Sequence, residues 1–123
     1  MTILLDTHIL LWALGHPERL SGERRQRIQD RSNTVLVSAV NIAEIAIKSS
    51  LGKLEIEGDL LAAVQDAGFD WLDFTPAEAA LLRDLPYHHR DPFDRMLVVQ
   101  SMENDLFLMT DDRKLDPYGC RLI

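Results

Sequence analysis

Four short, mainly apolar runs, each closed by a hydroxyl or carboxylate side chain, constrain most strongly what this chain can fold into. Ile3-Leu4-Leu5 stops at Asp6, Val35-Leu36-Val37 at Ser38, Trp71-Leu72-Asp73-Phe74 at Thr75, and Leu106 to Thr110 at Asp111-Asp112. Continuous apolar runs of this length are typical of strands buried on both faces. Helical patterns separate them. Thr7 to Leu14 carries Ile9, Leu10, Leu11, Trp12 and Leu14 and ends at Gly15-His16-Pro17, whereas Ser21 to Arg31 is charged, with only Ile28 as an anchor. Ala39 to Ser50 carries apolar groups nearly all round and is expected to be buried. Further helices are expected over Asp59 to Ala67, stopped by Gly68, and from Thr75 through Asp84, which opens with a capping box and Pro76. Arg121-Leu122-Ile123 reads as a last edge strand. Strands alternating with helices predict an α/β three-layer sandwich: a central, mostly parallel sheet of four to five strands flanked by helices. At 123 residues the whole chain, 1–123, is expected to form one domain.

The stretch from Arg90 to Ser101 sets the register of that fold. Asp91 is a good N-cap, Pro92 suits the first helical position, and Asp94 lies in the first turn, where a carboxylate favours the helix dipole. Met96, Leu97, Val98 and Val99 then need a core. Leu85 to Arg90, with His88-His89, reads as the loop leading in.

In open parallel sheets, ligands bind outside the carboxyl ends of the strands. Asp6 ends the first run and Asp111-Asp112 the fourth, with Thr110 as an added hydroxyl. Glu44 lies in the helix leaving the second run, and Asp94 begins the helix feeding the fourth. Glu44 also has Lys48 at i+4, so an ion pair is its structural alternative. Clustered carboxylates repel unless a cation intervenes, and oxygen-only ligands suit Mg²⁺ or Mn²⁺. No Cys/His spacing argues for zinc, and His88 and His89 read as solvated loop residues facing different ways.

The chain carries 13 basic and 20 acidic residues, a net charge of −7. A protein that coats duplex nucleic acid is normally basic, so nucleic acid is approachable here only through metal ions or local arginines. The lone cysteine, Cys120, suits a reducing cytoplasm and reads as a small packed residue rather than a nucleophile. The apolar start, broken by Asp6 and His8, reads as a strand and not a signal peptide. No stretch reaches the roughly 20 apolar residues of a membrane span.

The segments Leu4 to Trp12, Ser38 to Lys48 with Glu44, His89-Arg90-Asp91-Pro92-Phe93-Asp94-Arg95, and Leu108 to Asp112 resemble the PIN-domain family. Within it they look like the VapC-like toxins of bacterial type II toxin–antitoxin systems. The likeness covers essentially the whole chain, in order. It implies a Mg²⁺- or Mn²⁺-dependent endoribonuclease in which Asp6, Glu44, Asp94 and Asp112 are the catalytic, metal-holding acids. Metal-activated water would cut RNA to leave a 5′-phosphate and a 3′-hydroxyl. Thr110 and Asp112 match the family's Thr-x-Asp pattern, leaving Asp111 as a neighbour, Thr7 as an accessory hydroxyl, and Asp91 as an accessory acid or a cap only. Arg90, Arg95, Arg113, Lys114 and Lys48 are candidates to contact RNA, each with surface solvation or ion pairing as the alternative. The family implies a homodimer and a cognate antitoxin, whose tail would cover the acids from a groove beside the Ile9–Leu14 and Ser21–Arg31 helices.

Two rivals are weighed. A phospho-acceptor receiver module needs an acidic pair after the first strand, where this chain has Asp6-Thr7-His8, and an acceptor Asp and a Lys that have no place here. A non-catalytic PIN-fold scaffold is disfavoured by the full set of acids.

Overall fold

The apolar runs become a single parallel sheet. A computed structural model describes residues 1–123. Its elements are β1 (Thr2–Leu5), α1 (Thr7–Gly15), α2 (Gly22–Gln29), β2 (Thr34–Ser38), α3 (Ala39–Ser50), α4 (Leu60–Asp66), β3 (Asp70–Leu72), α5 (Pro76–Leu81), α6 (Pro92–Glu103), β4 (Phe107–Met109) and β5 (Arg121–Leu122). Short 3₁₀ turns cover Pro17–Arg19 and Arg113–Tyr118. All five strands are parallel, in the order β3-β2-β1-β4-β5. The winding therefore reverses between β1 and β4, and a crevice at the carboxyl ends of strands flanking such a reversal is where ligands bind in open α/β sheets. A receiver module has the order 2-1-3-4-5, so the topology removes that rival.

Alternation along β1 divides the interior in two. Ile3 and Leu5 point into one core with Ile9, Leu10, Ile45 and Val64 from α1, α3 and α4. Leu4 points into the other with Leu97 and Val98 of α6, Leu108 and Tyr118. All three β1 side chains are fully buried. Sheet and two helical layers form the expected sandwich.

Two local expectations are corrected. The α3 helix is not buried all round: Val40, Glu44 and Ile45 are buried, but Ala43, Ala46 and Ile47 face outward. No further element of this chain covers that side. The α5 helix stops at Leu81, not Asp84. The carbonyls of Leu82, Leu85 and Pro86 accept hydrogen bonds from the Arg95 guanidinium, and Pro86 disfavours helical backbone at Leu85.

Candidate metal centre

Asp6 follows β1 directly and N-caps α1. Its Oδ1 accepts from the Ile9 N–H at 2.8 Å and its Oδ2 from the Thr110 hydroxyl at 2.5 Å. Burial raises its pKa, opposed by those two hydrogen bonds. Glu44, only 3% exposed, accepts from the Thr7 hydroxyl at 2.7 Å and from Lys48 Nζ at 2.5 Å. The Lys48 pair anticipated from i, i+4 spacing is therefore formed, and this hydrogen bond raises the Lys48 pKa. Thr7 is aimed in turn by Asn41, whose amide donates to the Thr7 oxygen and to the Leu5 carbonyl, both at 3.1 Å.

Asp94 differs from both. It lies in the first turn of α6, and no protein group donates a hydrogen bond to its carboxylate; the nearest cation-capable atom is His89 Nε2 at 3.5 Å. Burial, then the adjacent Asp91, push its pKa up to about 7, with Glu44 and Asp6 adding to the rise and His89 opposing it. Carboxylates of Asp6, Glu44 and Asp91, brought in by α1, α3 and the cap of α6 itself, thus all act on Asp94 at the carboxyl edge of the sheet.

Asp112 completes the rim. Its Oδ1 accepts from the Lys114 N–H at 3.0 Å, its Oδ2 lies 2.7 Å from His89 Nε2, and its own N–H donates to Thr110 Oγ1 at 3.0 Å. Burial alone would raise its pKa, but the His89 and Lys114 contacts hold it below the ordinary value. Oxygen and nitrogen atoms of His89, Asp94 and Asp112 lie within 4.8 Å of one another, the tightest potential ligand group in the molecule. Asp6 and Glu44 stand outside that triangle.

The remaining candidates divide. Asp91 is the α6 N-cap, accepting from Phe93 N at 2.8 Å and Asp94 N at 3.3 Å. Asp111 turns away to pair with Arg24, whose guanidinium also holds the Thr110 carbonyl at 2.8 Å. Arg95 is corrected from an RNA contact to a buried support: it is 4% exposed and also donates to the Tyr118 hydroxyl at 3.1 Å. Arg90, Arg113 and Lys114 are exposed and Lys48 partly so, with Arg113 only 3.6 Å from Asp116. His89 is corrected as well: it is not a solvated loop residue but part of the centre, while its neighbour His88 packs edge-on against Tyr118. The signal for His89 was its place two residues ahead of an N-cap aspartate; Asn41 and Arg24 gave none.

A hollow of about 270 Å³ adjoins Glu44, lined by Thr7, His8, Leu11, Lys48, Lys53 and Leu54. A larger cavity of about 650 Å³ lies between α2 with the turn that follows it and the end of α4, with only Ala13 contributed by α1, so it is not the expected groove leading to the acids. Asn33, Val35 and Phe69 in its wall place it at the amino ends of β2 and β3, away from the acids. An oxygen-rich edge with one undonated carboxylate is suited to a hard cation and an anionic substrate, and the smaller hollow borders that edge at Glu44.

Comparison with known proteins agrees with this fold. The model of the PIN domain matches residues 3–119. Ribonuclease VapC22 of Mycobacterium tuberculosis is 29% identical over 117 residues, covering 93% of this chain and 89% of its own. The crystal structure of VapBC2 from Rickettsia felis, bound to a DNA fragment from their promoter, superposes with a TM-score of 0.74 at 16% identity, covering 100% of this chain and 98% of that one. DNA-bound VapBC from Salmonella typhimurium gives 0.71 at 17% identity, over 100% and 97% of the two chains.

Proposed function

Because the chain belongs to the PIN-domain family, we propose that it is an endoribonuclease dependent on Mg²⁺ or Mn²⁺, acting as the toxin of a toxin–antitoxin pair. One observation carries the reading: Asp94 is a half-buried carboxylate among other acids, with no protein hydrogen-bond donor. Such a group destabilises the fold unless a cation is bound. RNA as substrate is supported by the likeness to Ribonuclease VapC22, and an antitoxin partner by the likeness to VapBC complexes.

The donor chemistry fits a hard divalent ion. Asp6, Glu44, Asp94 and Asp112 offer carboxylate oxygens only, on four separate elements, and would hold Mg²⁺ or Mn²⁺ with water completing the shell. The ion, when bound, supplies Lewis-acid chemistry: it lowers the pKa of water and offsets charge on a phosphodiester. The protein's own groups prepare the site. Thr110 and Thr7 aim Asp6 and Glu44 through their hydroxyls, and the Lys114 N–H fixes Asp112. Exposed Arg90, Arg113 and Lys114, with Lys48 beside the hollow, meet RNA phosphates and offset the −7 net charge where the substrate arrives. In-line cleavage leaves a 5′-phosphate and a 3′-hydroxyl. The toxin works as a homodimer, and its antitoxin covers the acidic edge.

The test is cleavage of single-stranded RNA by purified protein with Mg²⁺ or Mn²⁺, with chelator, and with an Asp94→Asn protein prepared identically. Cutting that requires metal and falls at least about 100-fold in the variant is expected, since several kcal/mol of metal-derived stabilisation are removed. Metal-independent cutting, or equal cutting by the variant, would contradict the proposal.

A further inference from the structure

We infer that His89 is a positioning residue of the metal centre, a hydrogen-bond donor that holds Asp112 in place and not itself a ligand. The inference rests on the nuclease reading for its consequence but on separate geometry for its argument. The His89 side chain is 12% exposed and faces both Asp112 and Asp94. Ring proximity to Asp94 and Asp112 alone would allow it to be a further ligand, since histidine nitrogen is a common one.

The backbone decides between the two roles. The Asp91 N–H donates to His89 Nδ1 at 2.9 Å. A ring nitrogen that accepts a hydrogen bond carries no proton, so in the neutral ring the proton resides on Nε2. Nε2–H then donates to Asp112 Oδ2 at 2.7 Å. A protonated Nε2 has no lone pair for a metal, whereas the carboxylate it orients keeps lone pairs on both oxygens. With the Lys114 N–H on Oδ1, the carboxylate is held from both sides. The outer partner of a metal ligand commonly works this way.

The backbone that carries the ring is in turn anchored from outside the site. The His89 main-chain N–H donates to the Tyr118 hydroxyl at 3.1 Å, which also accepts from Arg95. Asp91 therefore has two jobs: its carboxylate caps α6 while its N–H sets the His89 tautomer. This accounts for the order His-Arg-Asp-Pro in the sequence, because a histidine two residues before the cap can reach back to the cap's own N–H.

Nitrogen-15 NMR of the imidazole in uniformly labelled protein, without metal and with Mg²⁺, tests the assignment directly. The neutral Nε2–H tautomer is expected in both states. An Nδ1–H tautomer in either state, or Mn²⁺ electron spin resonance showing a directly bound histidine nitrogen, would overturn it. Mn²⁺ binding measured by calorimetry without RNA gives the second readout. His89→Ala is expected to weaken binding about 10- to 100-fold, and His89→Gln, which restores a donor near the Nε2 position, to recover most of that loss at an unchanged melting temperature. Unaltered Mn²⁺ affinity in folded His89→Ala would overturn the positioning role, while RNA cleavage by the wild-type protein reports separately on the nuclease reading.

Discussion

Asp94 concentrates the chemistry of the site in one side chain. Its pKa in the folded protein, about 7, is well above the ordinary 3.8. The folded state therefore binds the proton more tightly than the unfolded chain between those values, and stability falls as pH rises from about 4 to about 7. In chelator, the wild-type melting temperature should decline across that window and level off above it. Asp94→Asn should flatten the decline and leave the metal-free protein about 1–3 kcal/mol more stable at pH 8, a figure discounted for the partial exposure of the group. A wild-type profile that rises over the same window would show that Asp94 is ionised at no cost. The sequence marked this residue through the Asp-Pro-x-Asp pattern of a helix start. It carried no sign that Asp94 alone lacks a donor, because that depends on where Thr110, Thr7 and Lys114 direct theirs.

At the level of elements, α6 is the part whose start was most legible. Asp91 as cap and Pro92 at the first turn are where local propensity places them. Arg95 shows what local pattern leaves out. An arginine after an acidic turn reads as a solvent-facing charge, yet this one crosses to the 82–86 segment and the Tyr118 hydroxyl. Gln100 is similar: fully buried, it accepts from the Ser38 hydroxyl at 2.5 Å and donates to the Asp73 carbonyl at 3.0 Å, tying β2, α6 and the end of β3 together. Both are contacts between segments far apart in sequence, which periodicity does not encode. Arg95→Lys keeps the charge but cannot serve four acceptors with a single ammonium. It should destabilise the protein by about 2–4 kcal/mol in urea unfolding. A change below about 0.5 kcal/mol would return Arg95 to the class of surface charges.

At the scale of the whole molecule, winding direction explains why acids from remote segments converge. The reversal between β1 and β4 sets Asp6 beside Thr110 and brings the starts of α3 and α6 to the same edge. The alternation of strands and helices predicted this layering, but not that β5 would make the sheet parallel throughout, nor that α3 would leave Ile47 48% exposed. No helix is long and apolar enough to cross a membrane. A cation bound only by the assembled edge stabilises the native state by mass action. Mn²⁺ at 100 times its dissociation constant should add about 2.7 kcal/mol of unfolding free energy, and the double variant Asp6→Asn, Asp94→Asn should abolish the gain. An equal gain in that variant would place the ion elsewhere.

The most direct measurement is anomalous diffraction from crystals grown with Mn²⁺. The account predicts a peak within bonding distance of carboxylate oxygens of Asp94 and of at least one of Asp6 and Asp112, with His89 Nε2 still directed at Asp112. Well-ordered Mn²⁺ absent from this edge and found at other carboxylates would contradict it.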